Sequence, residues 1–245
     1  MPYAPAIWNE DRLGQITLTV CKAAALWLKT VLGTSHLRKA ARRLPMPLRR
    51  FVLLARPWLA APETVLLFAF PELELGSDLR ARYDRSARNG MPPHVTLIYP
   101  FLPLHEIDGR RLRELTSFFA AATQFNVRLD GVGGFPGVVY LVPQPTERFV
   151  ELVNGLVLLY PQVPPYGGIF QSVIPHITLA ESADPEIQDG LISEVAPLLP
   201  IEITATEVWL MVRRGGRWKT KASFALTASR DVFVNVPRLQ TARLS

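Results

Sequence analysis

Apolar and polar residues recur along the chain with two different periods, and the changes of period outline its elements. Alternating runs rich in β-branched and aromatic residues predict strands. Apolar residues that recur every three or four positions predict amphipathic helices. Predicted strands cover residues 64–70, 94–99, 125–129, 138–142, 176–179, 201–214 and 217–227, and predicted helices cover residues 72–88, 106–122, 147–159 and 183–199.

Prolines and glycines mark where these elements end. Pro92 and Pro93 stop helical structure before residue 94, and Asp184-Pro185 supplies a cap and first-turn residue for the last helix. Glycine-rich residues 131–137 predict a turn between two strands, and Gly215-Gly216 predicts the turn of a closing hairpin. Because strands and helices are mixed irregularly, the fold class is α+β.

Charge divides the chain into an extension and a body. Residues 1–57 carry ten Lys/Arg against two acidic residues, and residues 58–245 carry seventeen against nineteen. We therefore expect a basic N-terminal extension at residues 1–57, a catalytic or binding domain at residues 58–228 and a polar tail at residues 229–245, with one short strand predicted at 232–236. The domain has no positive excess of the kind that long duplex nucleic acid requires.

The extension has three interpretations. An apolar run at residues 16–32 and a basic stretch at residues 38–50 suit a helix docked on the domain or in peripheral contact with a membrane. A targeting segment is disfavoured by Glu10 and Asp11. The third interpretation is an over-extended reading frame with the functional start at Met46. A membrane-spanning helix is not expected, since charges interrupt every long apolar run.

The chain has one cysteine, Cys21, so no internal disulfide is expected, and no Cys/His cluster has the spacing of a zinc site. The length is sufficient to bury a core without disulfides or metal. Together these features indicate a reducing, cytoplasmic setting and no cofactor.

Two segments of the chain are copies of one pattern. The first reads Pro-His-Val-Thr-Leu from Pro93, with His94 and Thr96, and the second reads Pro-His-Ile-Thr-Leu from Pro175, with His176 and Thr178. In a strand, alternate side chains face the same side, so each segment can present an imidazole and a hydroxyl to a cleft. A half-buried strand would produce either copy alone. Two copies among four histidines arise by chance in on the order of one chain in ten thousand.

The pairs suit phosphodiester cleavage. That reaction needs a base to activate the nucleophile and an acid to protonate the leaving oxygen, and histidine performs either role near neutral pH. Threonine hydroxyls can donate to the non-bridging phosphate oxygens. A zinc or iron site would need a third protein ligand, which neither segment supplies, and His105 beside Glu106 resembles a surface residue. A serine or cysteine nucleophile has no motif in its support.

These residues resemble the 2H phosphoesterase superfamily, and within it the bacterial 2′-5′ RNA ligase-like branch. The resemblance extends over residues 63–228. It includes Arg82-Tyr83-Asp84 ahead of Gly90-Met91-Pro92-Pro93, Tyr99-Pro100-Phe101 after the first motif, and Val208-Trp209-Leu210 and Trp218 around the final turn.

The resemblance implies two similar α+β lobes, each giving one motif to a central cleft about a pseudo-two-fold axis. It implies hydrolysis of 2′,3′-cyclic phosphates to 2′-phosphates, or joining of RNA ends through a 2′-5′ bond. One histidine would then be the general base and the other the general acid. The alternative is a catalytically silent module that binds a nucleotide or an RNA end.

Substrate contacts are harder to assign from the sequence. The branch often carries a basic residue where this chain has Glu181, which favours a small cyclic nucleotide phosphate or an RNA terminus as the partner. Aromatic residues near the first motif or the glycine-rich segment are candidates for stacking on a base: Tyr99, Phe101, Phe135 and Tyr140. Core packing is the competing interpretation for each of them.

Overall fold

Two four-stranded antiparallel sheets form the framework of the part of the chain that the structure describes. The structure is a computed structural model that describes residues 63–73, 77–168, 173–182 and 184–229. The extension at residues 1–57 and the strand predicted at 232–236 lie outside these ranges and stay predictions.

The first sheet has the strand order β2-β1-β7-β8. Its strands are β1 (Glu63–Ala69), β2 (His94–Ile98), β7 (Glu207–Arg214) and β8 (Arg217–Ala225). A tight turn at Gly215 and Gly216 joins β7 to β8, and both glycines have positive φ, 57° and 83°. Residues other than glycine rarely adopt these backbone angles, so the predicted hairpin turn depends on this glycine pair.

The second sheet has the order β5-β4-β3-β6. Its strands are β3 (Phe125–Phe135), β4 (Val138–Gln144), β5 (Ile177–Glu181) and β6 (Ile201–Ala205). Each sheet therefore places one motif on an edge strand, β2 in the first and β5 in the second. The two sheets with their helices confirm the α+β class and the two-lobed arrangement.

The helices are α1 (Ser77–Tyr83), α2 (Arg85–Arg88), α3 (Gly109–Ala120), α4 (Thr146–Leu159) and α5 (Pro185–Val195), with 3-10 turns at Leu104–Glu106, Pro165–Gly168 and Ala196–Leu198. Asp108 begins α3 by accepting a hydrogen bond from the backbone N–H of Arg111 at 2.9 Å. Within the described ranges, no helix is long and apolar enough to cross a membrane.

One hydrophobic core joins the two sheets. Phe68 of β1, Phe125 of β3 and Phe149 of α4 pack edge to face, with ring centroids 5.2–5.8 Å apart. Such edge-to-face contacts add to the burial of apolar area. Because one aromatic cluster contains both sheets and a helix, the two motif strands rest on a common core.

Three predicted elements are corrected by the structure. The helix predicted at 72–88 is interrupted at Asp84, whose carboxylate accepts from the backbone N–H of Ser86 at 2.7 Å and so begins α2. The turn predicted at 131–137 is wrong, because β3 continues to Phe135 and the chain reverses at residues 136–137. The strand predicted at 201–214 divides at Thr206 into β6 and β7, which belong to different sheets.

Candidate active site

The first motif lies at the start of β2. His94 and Thr96 are half-buried on one face, whereas Val95 and Leu97 are fully buried on the other. Thr96 is opposite Leu67 of β1 and the next pair joins residues 98 and 66, so Leu97 is an extra residue that forms a β-bulge. Bulges re-aim side chains at the ends of strands.

The second motif repeats this geometry in the other sheet. Thr178 is half-buried and opposite Tyr140 of β4, while the next pair joins residues 180 and 139. Leu179 is therefore the bulge residue, at the position equivalent to Leu97. Both His-x-Thr-Leu segments therefore alternate between buried and half-buried residues in the same way. Both also have a β-bulge at the leucine that follows the threonine.

Both imidazoles are held in the same way. Nδ1 of His94 lies 2.8 Å from the carbonyl oxygen of Pro92, and Nδ1 of His176 lies 2.8 Å from that of Ile174. A carbonyl only accepts hydrogen bonds, so each Nδ1 carries the proton and Nε2 is the basic nitrogen. The backbone two residues before each histidine thus selects the tautomer that offers Nε2 to a ligand.

Burial makes both imidazoles weaker bases than free histidine. Desolvation lowers the pKa of His94 to about 4, and the Arg80 guanidinium contributes in the same direction against the Pro92 hydrogen bond. Desolvation also lowers the pKa of His176. Both rings are therefore neutral at pH 7.

The four motif residues line one cleft with a volume of ≈ 290 Å³. The edge strands β2 and β5 contact each other, so the two lobes meet where the motifs lie. The structure brings together the four residues that the sequence predicted to act together: His94, Thr96, His176 and Thr178.

Of the four aromatic residues predicted to contact substrate, one lines the cleft and three do not. Tyr99 lines the cleft and donates its hydroxyl hydrogen to Glu63 Oε2 at 2.7 Å. Phe101 is buried in the core against Tyr160, so it has no place in the cleft. Phe135 and Tyr140 do not line the cleft either, but their stacked rings pack against the imidazole of His176. Two of the four therefore contact a motif residue without lining the cleft.

Tyr166 lines the cleft and was missed by the sequence analysis. It has φ 51° and ψ 31°, a left-handed conformation that is rare for a bulky residue, and its side chain hydrogen-bonds Thr96. Its backbone N–H donates to the carbonyl of Tyr99 at 2.7 Å, which ties this loop to the end of β2. Glycines 167 and 168 mark the loop in the sequence, but nothing there indicates which residue enters the cleft.

The sequence did not identify Glu63, Arg85 and Arg213 as cleft residues, whereas it singled out Glu181 beside the second motif. Arg213 lies 3.5 Å from Glu63, and both line the cleft with Arg85 and Glu181. Burial and the neighbouring Asp84 raise the pKa of Glu181, while Arg85 and Arg88 act in the opposite direction. The cleft therefore offers cationic groups for an anion next to carboxylates that accept hydrogen bonds.

Trp218 completes the aromatic wall of the cleft. Its ring packs edge-on to Tyr99 with centroids 6.4 Å apart, and its backbone N–H donates to the carbonyl of Asn89. From the sequence, Trp218 is expected only in the closing hairpin, after the Gly215-Gly216 turn. Pairing of β8 with β7, and of β7 with β1, brings this residue beside the first motif, a relationship that sequence spacing does not reveal.

Among the described residues, no group of three or more His, Cys, Asp or Glu side chains is arranged to hold a metal ion. His105 does not line the cleft; its side chain is 80% exposed and lies 3.9 Å from Glu106.

The class that this fold and site define is that of phosphoesterases with two His-x-Thr motifs. The family model described as the 2′-5′ RNA ligase superfamily matches residues 72–217, more than half of the chain. The chain belongs to the 2′-5′ RNA ligase superfamily, which confirms the resemblance inferred from its motifs.

Solved structures with similarity to this chain include E. coli LigT and TT0787 of Thermus thermophilus. LigT complexed with NADP+ is 21% identical with a TM-score of 0.44, and the match covers 68% of this chain and 98% of LigT. TT0787 is 21% identical with a TM-score of 0.47, with coverage of 68% and 98%. LigT in apo form is 20% identical with a TM-score of 0.45, and the match covers 69% of this chain and 99% of LigT. No curated protein sequence matches the chain.

Proposed function

We propose that this chain is a metal-independent phosphodiesterase that opens 2′,3′-cyclic phosphates to 2′-phosphates by two-histidine acid-base catalysis. The observation that carries the proposal is the matched pair of sites in one cleft. Each consists of an imidazole with its proton fixed on Nδ1 and a threonine hydroxyl on the same strand face.

The chemistry follows from the free Nε2 atoms. One imidazole takes a proton from water through Nε2 as the water oxygen attacks phosphorus. The bond between phosphorus and the 3′-oxygen breaks, and the other imidazole, in its protonated form, gives its Nε2 proton to that oxygen. Ligation would follow the same course with an RNA 5′-hydroxyl in place of water: its oxygen attacks phosphorus, the bond from phosphorus to the 3′-oxygen breaks, and a 2′-5′ phosphodiester forms while each imidazole keeps its role.

The two threonine hydroxyls stabilise the negative charge that develops on the phosphate oxygens during the reaction. The Thr96 and Thr178 hydroxyls lie on the cleft face of their strands, where each can donate to a non-bridging phosphate oxygen. Donors fixed before the reaction stabilise the developing charge without reorganisation, and removal of one such donor typically lowers kcat by about 100- to 1000-fold.

The charges at the cleft favour a small substrate or the end of an RNA chain. Arg85 and Arg213 supply positive charge for a phosphate. Glu181, which is exposed at the same cleft, opposes a second phosphate close by and can accept a hydrogen bond from a sugar hydroxyl or a base amine. We therefore propose a nucleoside 2′,3′-cyclic phosphate, or a short RNA with that terminus, as substrate.

The test is hydrolysis of a nucleoside 2′,3′-cyclic phosphate in the presence of a chelator. Wild-type protein is compared with His94→Ala and His176→Ala, and His105→Ala is the matched control because that side chain is exposed. We expect release of the 2′-phosphate, a loss of about 100- to 10,000-fold in either motif variant and no loss in the control.

Two other outcomes would contradict the proposal. Activity that disappears with chelator and returns with a divalent ion would show metal dependence. A wild-type protein that binds the cyclic phosphate or a short cyclic-ended RNA without converting it would be a binding module.

A further inference from the structure

A buried ion pair lies next to the active site and is not explained by the proposed chemistry. Arg80 of α1 and Asp84, one turn later, are 6% and 0% exposed, and Arg80 Nη2 lies 2.6 Å from Asp84 Oδ2. Removing two charges from water costs free energy that their attraction regains only with good geometry and further hydrogen bonds. The other contacts of the pair therefore indicate what it does.

Asp84 connects the pair to one wall of the cleft. Its second carboxylate oxygen, Oδ1, accepts from the backbone N–H of Ser86 at 2.7 Å and from the Ser86 hydroxyl at 2.6 Å. These bonds begin α2, which carries Arg85 and Ser86 to the cleft. Asp84 thus fixes where two cleft residues lie.

Arg80 connects the pair to both motifs. Its Nε donates to the carbonyl of Thr178 at 3.2 Å, and Nη2 lies 3.5 Å from the carbonyl of Met91, three residues before His94. The carbonyl of Thr178 precedes the bulge residue Leu179, at the point where β5 departs from regular pairing with β4. One planar guanidinium therefore contacts the second motif and the segment that leads into the first.

This contact spans the two lobes. Thr178 belongs to the sheet of β3–β6, whereas Met91 leads into β2 of the other sheet. Helix α1 packs against β5, so Arg80 lies at the junction rather than within one lobe. Since catalysis needs both motifs at a fixed separation, a rigid contact at this junction bears directly on the reaction.

We propose that Arg80, held by Asp84, is a positioning residue that sets the register of the second His-Thr strand against the first. This inference rests on the proposed phosphodiesterase function. Arg80 does not line the cleft, so it acts through Thr178 and the Met91 segment rather than on substrate. Its guanidinium suits this role because its fork of donors serves several acceptors at once, which a lysine ammonium cannot reproduce.

The Arg80–Asp84 pair also shifts the pKa of His94 and is not among the causes of the shift at His176. Arg80 lowers and Asp84 raises the pKa of His94, whereas burial and the Ile174 hydrogen bond account for the shift in pKa at His176. The local hydrogen bonds of the two rings are alike, so the Arg80–Asp84 pair is a source of asymmetry between them.

The experiment measures kcat and KM for a 2′,3′-cyclic nucleotide with Arg80→Met, Arg80→Lys and the double variant Arg80→Met/Asp84→Leu. We expect a decrease of about 100-fold in kcat with little change in KM for Arg80→Met, as misplacement by about 1 Å produces. Arg80→Lys should recover only part of this loss. The matched control is Arg111→Met, which breaks a partly exposed pair with Glu114 on α3, and it should leave kcat unchanged.

The double variant separates positioning from stability. Replacing both buried charges with apolar residues of similar size leaves no unpaired charge and is often tolerated. We expect it to melt close to the wild-type temperature and still to lose kcat. Wild-type kcat in this folded double variant would overturn the inference and leave the pair a structural role.

The same assays distinguish failure of the proposed phosphodiesterase function from failure of the positioning role. In that case the wild-type protein itself does not hydrolyse the cyclic phosphate, and the positioning role is lost with it. A wild-type enzyme that turns over, with an equally active Arg80→Met variant, overturns the positioning role alone. NMR titration of both imidazoles gives a readout beyond rate: in Arg80→Met the pKa of His94 should rise and that of His176 should stay the same.

Discussion

The imidazole of His176 meets the ring of Phe135 edge to face, with centroids 5.3 Å apart and planes at 85°. Phe135 is the last residue of β3, and it stacks on Tyr140 of the neighbouring strand at 4.5 Å. The imidazole of His176 therefore packs against an aromatic pair, while its Nδ1 is hydrogen-bonded to the carbonyl of Ile174. With the proton on Nδ1, Nε2 is the basic nitrogen of this ring.

Shortening Phe135 should loosen His176 without unfolding the protein. For Phe135→Leu we expect a decrease of about 10-fold in kcat, because the ring loses a contact that orients it, at a cost in stability of roughly 1 kcal/mol. Phe101→Leu is the matched control, since Phe101 is buried in the core away from the cleft and should lose stability but not kcat. Equal kcat in the two variants would contradict an orienting role for Phe135.

Gly133 makes room for the Tyr140 ring. A Cβ at this position would lie 2.6 Å from two Tyr140 ring atoms, whereas a Cβ at Gly131 on the same strand would meet nothing within 4 Å. Tyr140 is buried and packed on His176, so it cannot move freely. Gly133→Ala should lower both melting temperature and kcat, and Gly131→Ala should change neither. Parallel thermal melts and turnover assays make the comparison.

Some features of the fold could be predicted from the sequence and others could not. The repeated His-x-Thr pattern revealed both motif strands, because alternation in a strand is a local property. The role of Gly133 could not be predicted, because it depends on the ring of Tyr140 on a neighbouring strand, which occupies the space that a Cβ would need. The glycine-rich run predicts a turn at 131–137, whereas the chain reverses at residues 136–137.

The residues of the site also divide into those that the sequence identifies and those that it does not. Tyr166, Arg213 and Trp218 reach the cleft through strand pairing and a loop from the other lobe, and no fixed spacing relates them to a motif. Glu181 was noticed because it lies just after the second motif. Long-range neighbours of this kind need the tertiary structure, whereas residues next to the motif do not.

The phenol of Tyr166 is expected to assist the reaction through Thr96. Its side chain hydrogen-bonds Thr96, and burial raises the pKa of Tyr166, so the phenol stays protonated at neutral pH. Tyr166→Phe removes the hydroxyl and should lower kcat/KM by about 10-fold, within the range for one lost hydrogen bond near a charged group. Tyr83→Phe serves as control because Tyr83 lies outside the cleft. An unchanged kcat/KM in Tyr166→Phe would limit Tyr166 to packing.

Stability should depend on pH through His94. Its pKa is about 4 in the folded protein against an ordinary value of 6.5, so between these values the unfolded chain binds more protons. The free energy of unfolding should therefore rise with pH across this window, by on the order of 3 kcal/mol at most. Urea denaturation at several pH values should show a shallower rise in His94→Gln than in wild type or His105→Gln. An identical slope in all three proteins would contradict the lowered pKa of His94.

Anion binding should take up protons at this site. Both imidazoles are neutral at pH 7 because burial lowers their pKa, and an anion in the cleft favours the charged form and raises it. Affinity for an anion must then increase as pH falls from 7.5 toward 5.5. Sulfate is a suitable probe, since it does not titrate in this range. Calorimetry in two buffers of different ionisation enthalpy should show proton uptake in wild type and less uptake in His94→Gln and in His176→Gln. Binding of sulfate with no proton uptake and no pH dependence would mean that the anion sits away from the two histidines, and the acid-base roles assigned to them would lose their basis.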